Sequence, residues 1–212
     1  MTTHIVVLPG GGYSSHTAHE AEPIVDWLET LGYTASVFRY PLLTRHPGPL
    51  NALRDEITSR RGAGVTRVGA MGFSAGGHLA GHAALAPDST PEQRPDFAVL
   101  GYPITSMELA TYRCAQDILL GDTATDEARW VTSLDRLATP TAPPMFLWHT
   151  AEDAYVQPEH SYRLAAALSA AGRPHALHVF AHGPHSLGLA RGAGQAELWT
   201  SLAAAWLAEV TS

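Results

Sequence analysis

The chain alternates short, nearly uninterrupted apolar runs with longer stretches of helical period, and that alternation leaves few folds open. "HIVVLP" (4–9), "TASVFRY" (34–40), "VTRVGAMGF" (65–73), "FAVLGY" (97–102), "MFLWHT" (145–150) and "PHALHVF" (174–180) read as six strands. Between the first two, "EPIVDWLETLG" (22–32) sets Ile24, Val25, Trp27, Leu28 and Leu31 at helical spacing and stops at Gly32. Further helices are predicted over 50–62, 75–86, 159–172 and 196–210. Strands apolar on both faces belong in a sheet covered on both sides. Strand-helix-strand order makes such a sheet parallel, because each crossover returns the chain to the same edge. The expectation is an α/β protein: a three-layer αβα arrangement, with a mostly parallel sheet of about six strands flanked by helices on both faces. Residues 1–212 read as a single domain. The stretch 106–142 is more polar and too long for a simple connection, so it is predicted as a short, lid-like helical excursion near the site.

Composition removes several functional classes. Charged residues are 16% of the chain, the formal net charge is −7, and Arg60-Arg61 is the only adjacent basic pair. Phosphate binding needs concentrated positive charge, so a nucleic-acid partner is not expected. The start, "MTTHIVVLPGGGY", lacks a basic leader region, and no apolar stretch approaches the ~20 residues that span a bilayer. The single cysteine, Cys114, has no internal partner for a disulfide. A cytoplasmic protein with no membrane partner is expected.

The chemistry concentrates at "VGAMGFSAGGHLAG" (68–81). Gly72-Phe73-Ser74-Ala75-Gly76 is Gly-x-Ser-x-Gly, placed where a strand ends and a helix begins. On such a turn the serine hydroxyl stands exposed above the sheet, and the glycines let strand and helix approach. The plainer reading is a serine that merely caps a helix. If the motif is such a nucleophile elbow, an acid and a histidine are expected later in the chain, in that order. The fifth strand is followed by "AEDAYV", with Asp153 at its carboxyl end and Glu152 as the adjacent competitor. The sixth is followed by "AHGPHSLGLA", which offers His182 and His185. A histidine there could take the serine proton while the carboxylate fixes its tautomer. Gly10-Gly11-Gly12 follows the first strand, and its amides, with that of Ala75, are candidates for an oxyanion hole. The loop lacks the lysine of a P-loop and the spacing of a dinucleotide fingerprint.

With "VVLPGGGYSS", "MGFSAGGHLA", "PPMFLWHTAEDAYV" and "HVFAHGPHSLGLA", the chain resembles the α/β-hydrolase superfamily. More narrowly, it is similar to small bacterial acetyl esterases of the acetyl-xylan-esterase-like branch. The resemblance implies Ser74 as nucleophile, Asp153 rather than Glu152 as acid and His185 rather than His182 as base. It also implies Gly11, Gly12 and Ala75 as the oxyanion hole. Two positions depart from the pattern: Ser186 stands where the branch often has glycine, and Pro9 where lipase-type loops have histidine. The implied function is hydrolysis of short acyl, above all acetyl, esters, with sugars such as xylo-oligosaccharides as the small-molecule partner. No cofactor and no metal are implied.

His78, four residues past Ser74, reads as a hydrogen-bonded structural histidine. "HTAHE" (16–20) lacks the order of a zinc protease, and Glu20 and Tyr13 read as braces of the glycine loop or walls of the entrance. Met107, Trp130 and Tyr155 fall near pocket loops but read as core filler. Two rivals remain: a peptidase or amidase related to prolyl oligopeptidases, and a non-catalytic ligand-binding protein on a hydrolase fold.

Overall fold

The computed structural model describes every residue except Met1, Ala110 and Tyr112. The apolar runs form β1 (Thr3–Leu8), β2 (Thr34–Val37), β3 (Arg67–Phe73), β4 (Phe97–Gly101), β5 (Met145–Thr150) and β6 (His175–Phe180). They lie in the order β2-β1-β3-β4-β5-β6, and every neighbouring pair is parallel. Alternate residues face opposite layers. Val6, Leu8, Val68, Ala70, Ala98, Leu100, Met145 and Leu147 point to one core. Ile5, Val7, Met71, Phe73, Phe97, Val99, Phe146 and Trp148 point to the other. This is the two-faced burial that the continuous apolar runs require.

Helices α2 (Gly48–Gly62), α3 (Ala75–Leu85) and α7 (Glu159–Ala170) cover the first face through Leu53, Ile57, Leu79, Leu164 and Leu168. Helices α1 (Glu22–Thr30) and α8 (Trp199–Thr211) cover the second through Ile24, Leu28, Trp199, Ala203 and Leu207. Trp199 stacks on Trp148 with centroids 4.8 Å apart and planes at 9°, which seats α8 on the sheet. No helix among the described residues is long and apolar enough to cross a membrane.

Two boundaries differ from the sequence expectation by three residues, the others by no more than two. The strand predicted over 34–40 pairs only as far as Val37, with Phe38 N–H donating a last 2.8 Å bond to Val7 O. As an edge strand it has one partner only, and Pro41 offers no donor to continue it; Tyr40 instead turns inward and donates its hydroxyl to Pro9 O at 2.8 Å. The last helix begins at Trp199, not 196, because a 3-10 turn over Gly194–Leu198 precedes it.

Within 106–142, where Ala110 and Tyr112 lie outside the described residues, the chain forms α4 (Arg113–Leu120), α5 (Asp126–Val131) and α6 (Leu134–Leu137). Leu134 of α6 sits over Gly81 so closely that a Cβ on that glycine would lie 2.5 Å from Leu134 Cδ1. Helix α3 is therefore enclosed between the sheet and this segment, and all eleven of its residues are buried. Its run of glycine and alanine is the consequence.

Between β1 and β3 the strand order reverses: the chain leaves β1 for β2 on one side and returns to β3 on the other. The loops after these two strands diverge and leave a crevice at their carboxyl ends, where ligands bind in open α/β sheets.

Candidate active site

Ser74 joins β3 to α3 with φ 52° and ψ −118°. A residue with a Cβ held there costs about 1–3 kcal/mol, so its surroundings must fix it. Ser74 N–H donates to Gly101 O at 2.9 Å, and Ser74 O accepts from His78 N–H at 2.9 Å. A Cβ on Gly76 would run into the carbonyl oxygens of Leu8 and Pro9, and one on Gly72 into that of Gly76. The motif's glycines thus let strand and helix close on the serine.

His185 Nε2 lies 2.9 Å from Ser74 Oγ, and His185 Nδ1 lies 2.6 Å from Asp153 Oδ2. Asp153 is an acceptor, so the imidazole carries its proton on Nδ1 and offers the Nε2 lone pair to the serine hydroxyl. Asp153 Oδ1 accepts the amides of Tyr155 (3.0 Å) and Val156 (2.9 Å). His149 Nε2 reaches Asp153 Oδ2 at 3.2 Å. Burial alone would push this carboxyl up, but donation from His149, His185 and Val156 outweighs it and holds Asp153 well below the usual carboxylate range.

The two competitors pair with each other instead. His182 Nδ1 meets Glu152 Oε1 at 2.9 Å on the surface, and Gly183 N–H donates to Glu152 Oε2 at 3.1 Å. Asp153, one residue on, is 3% exposed and turned inward.

Ser74, His185, Gly11 and Gly12 line one cavity of about 260 Å³, with Ser14, Ser15, Thr17, Tyr155 and Ser186. Gly11 (φ 123°) and Gly12 (φ 62°) have backbone that side chains rarely adopt. Among the described residues, neither glycine's amide is taken up by a protein acceptor. Ala75, fully buried, is the first residue of α3, where an amide has no acceptor within the helix. Unpaired amides from two loops beside one hydroxyl can receive an oxyanion.

A family model for the prolyl oligopeptidase family matches residues 50–212, which include Ser74, Asp153 and His185. The chain belongs to the prolyl oligopeptidase family. Its fold is that of the α/β hydrolases. A solved structure of an acetyl ester-xyloside bifunctional hydrolase from Caldicellulosiruptor lactoaceticus superposes with a TM-score of 0.91 at 34% identity, covering 100% of this chain and 84% of that one. Endo-1,4-beta-xylanase B of Butyrivibrio fibrisolvens is 32% identical over 206 residues, 88% of this chain and 32% of that protein. An acetylxylan esterase of Xylanibacter ruminicola is 28% identical over 198 residues, 87% of this chain and 41% of that one. The chain thus spans well under half the length of these last two relatives.

In this family member several supporting residues escaped the sequence reading. His149 and Ser161 are fully buried, and Ser161 Oγ lies 2.8 Å from His149 Nδ1 behind Asp153. Tyr102 packs edge-on to His185 with centroids 5.0 Å apart. His149 and Tyr102 read as the polar ends of apolar strands, and nothing local marks their contacts. His78 is buried as a structural residue: Nε2 donates to Thr132 O at 2.8 Å, and Nδ1 accepts from Tyr13 hydroxyl at 2.6 Å. Burial pushes its pKa down to about 4. Of "HTAHE", His16 packs edge-on against Tyr40 and His19 Nε2 donates to Ser186 O at 2.8 Å. Met107 is buried, Trp130 is half-exposed, and Tyr155, 62% exposed, forms part of the cavity rim.

Proposed function

We propose that the protein is a serine carboxylesterase for short acyl esters, acetyl groups on small sugars such as xylo-oligosaccharides foremost. Ser74, activated by His185, attacks the ester carbonyl. The amides of Gly11, Gly12 and Ala75 receive the negative charge of the tetrahedral intermediate. His185, held by Asp153, passes the proton to the leaving alcohol. Water, deprotonated by the same imidazole, then frees the acid from the acyl-enzyme. The observation that carries the reading is the unbroken Ser74–His185–Asp153 chain of hydrogen bonds opening on the glycine loop.

The cavity's size and lining support a short acyl group and a polar alcohol. Its volume of about 260 Å³ lies below the ~300–1,000 Å³ of drug-sized ligand pockets. Ser14, Ser15, Thr17 and Ser186 supply hydroxyls to it. Glycoside cleavage uses a pair of carboxylates flanking the bond, and no carboxylate lines this cavity among the described residues. The family match favours a second reading, peptide or amide hydrolysis by the same triad. A peptidase that grips a chain end needs a charged anchor, and the lining offers no arginine, lysine or carboxylate. The chain acts as one domain, with the 106–142 stretch as a lid-like excursion whose Leu134 packs on α3, and a cytoplasmic location accords with its lone Cys114.

Rates with p-nitrophenyl acetate, butyrate and octanoate, beside a proline p-nitroanilide, test the proposal. Acetate should give the highest kcat/KM and the anilide negligible turnover. Preference for octanoate would remove the short-acyl assignment, and faster anilide cleavage would replace the esterase by the amidase.

A further inference from the structure

Glu20 is fully buried, and the triad chemistry makes no use of it. Its Oε2 accepts Gly10 N–H at 2.8 Å. Its Oε1 accepts two hydroxyls, Tyr102 at 2.7 Å and Ser186 at 2.7 Å. The Tyr102 oxygen in turn accepts Gly188 N–H at 2.8 Å. One carboxylate therefore ties together the glycine loop after β1, the end of β4 and the loop that carries His185.

We infer that Glu20 is a positioning residue that locks the oxyanion loop to the base loop, so that the amides of Gly11 and Gly12 and the imidazole of His185 keep one fixed spacing across Ser74. The inference rests on the esterase reading and adds to it a residue that never meets the substrate.

Three features of the site fit a lock better than a packing role. Gly10 is small where it must be: a Cβ there would stand 2.7 Å from Glu20 Oε2, so a side chain at this position would displace the carboxylate. Ser186 holds φ 64°, a conformation that favours glycine, yet its hydroxyl is spent on Glu20. The departure from glycine at this position thus supplies a tether between loops 166 residues apart in the chain. The third feature is the choice of a carboxylate. All three groups on Glu20 are donors, and Tyr102 stays protonated, because burial and the Glu20 charge push its phenol well above the usual value. A glutamine cannot satisfy this set. With its oxygen toward the hydroxyls, its NH2 confronts Gly10 N–H. With its oxygen toward Gly10, its NH2 takes a Tyr102 oxygen already used by Gly188 and leaves the phenol proton without an acceptor. Either way one buried donor is stranded.

The test uses Glu20→Gln and Ser186→Gly, singly and together, with Arg54→Ala as a control. Arg54, on α2, pairs with Asp88 and does not line the cavity, so its loss should lower Tm and leave kcat at 25 °C unchanged. A misplacement of about 1 Å costs on the order of 100-fold in rate. Glu20→Gln is therefore expected to lower kcat for p-nitrophenyl acetate roughly 10–100-fold with KM within about threefold, the split of a geometry lost in the transition state. Ser186→Gly suits its backbone and should fold. It is expected to show a smaller loss of the same kind, and the double variant should be no worse than Glu20→Gln because both cut one contact. Amide hydrogen exchange over 9–15 and 183–189, read on the same proteins, needs no turnover. Both segments should exchange faster in Glu20→Gln. Parent-like kcat in Glu20→Gln, or unchanged exchange over 183–189, overturns the inference. If the parent hydrolyses no ester, the esterase proposal falls, and the exchange comparison alone decides the lock.

Discussion

Asp153→Asn perturbs the site without changing its shape. Oδ1 of Asp153 accepts the Tyr155 and Val156 amides, so an asparagine would keep its oxygen there. Its NH2 would then occupy the place of Oδ2, 2.6 Å from His185 Nδ1 and 3.2 Å from His149 Nε2. Donor would face donor at His185, and the imidazole would move its proton to Nε2, where it confronts Ser74 Oγ at 2.9 Å. That tautomer cannot take the serine proton. In triads of this kind the wrong tautomer costs about 10⁴-fold in kcat, or roughly 5 kcal/mol at about 1.4 kcal/mol per decade. The assay is kcat for p-nitrophenyl acetate hydrolysis at 25 °C, with near-UV circular dichroism showing that the variant is folded. A folded Asp153→Asn protein within tenfold of the parent would refute the tautomer argument.

Two further outcomes follow from the packing around α3. His78, next to His82 (centroids 5.5 Å), has its pKa pushed down to about 4 by burial, against 6.5 when unfolded. His46, stacked on His82 with centroids 5.2 Å apart, and His82 itself are also lowered by burial. Between those pH values the unfolded chain binds protons that the folded chain refuses. Stability is therefore full above about pH 6.5 and falls as pH drops toward 4, by about 3 kcal/mol for a shift of this size at His78 alone. Urea midpoints at pH 7 and pH 4.5 measure it, and equal midpoints would contradict it. Gly76→Ala should cost about 3 kcal/mol or more, because its Cβ would meet the Leu8 and Pro9 carbonyl oxygens, backbone atoms that cannot step aside. Urea unfolding within 1 kcal/mol of the parent would show that the elbow has slack.

The sheet was legible because its strands are apolar on both faces; "HIVVLP" and "MFLWHT" admit few other placements. The turn that carries Ser74 was legible for a related reason: Gly72 and Gly76 flank it where a strand turns sharply into a helix. The proposed acid and base were legible only as loops. Glu152 and Asp153 are adjacent and chemically alike, as are His182 and His185 in one loop. What separates them is which member turns inward, a property of packing that spacing does not encode; the resemblance to acetyl esterases was needed to choose. Tyr102 and His149 were not legible as site supports, since each ends a core strand and meets its partners across the fold: Tyr102 bonds to Glu20, 82 residues away. The end of β2 was misplaced because an edge strand stops where its pairing stops, and composition continues past that point.

The account stands on Ser74 being a nucleophile made reactive by His185. Mass spectrometry of the protein after treatment with a fluorophosphonate probe tests this most directly. One adduct should appear, on the peptide that contains Ser74, and His185→Ala should abolish it. An unmodified Ser74, or an adduct that forms as fast without the imidazole, would contradict it.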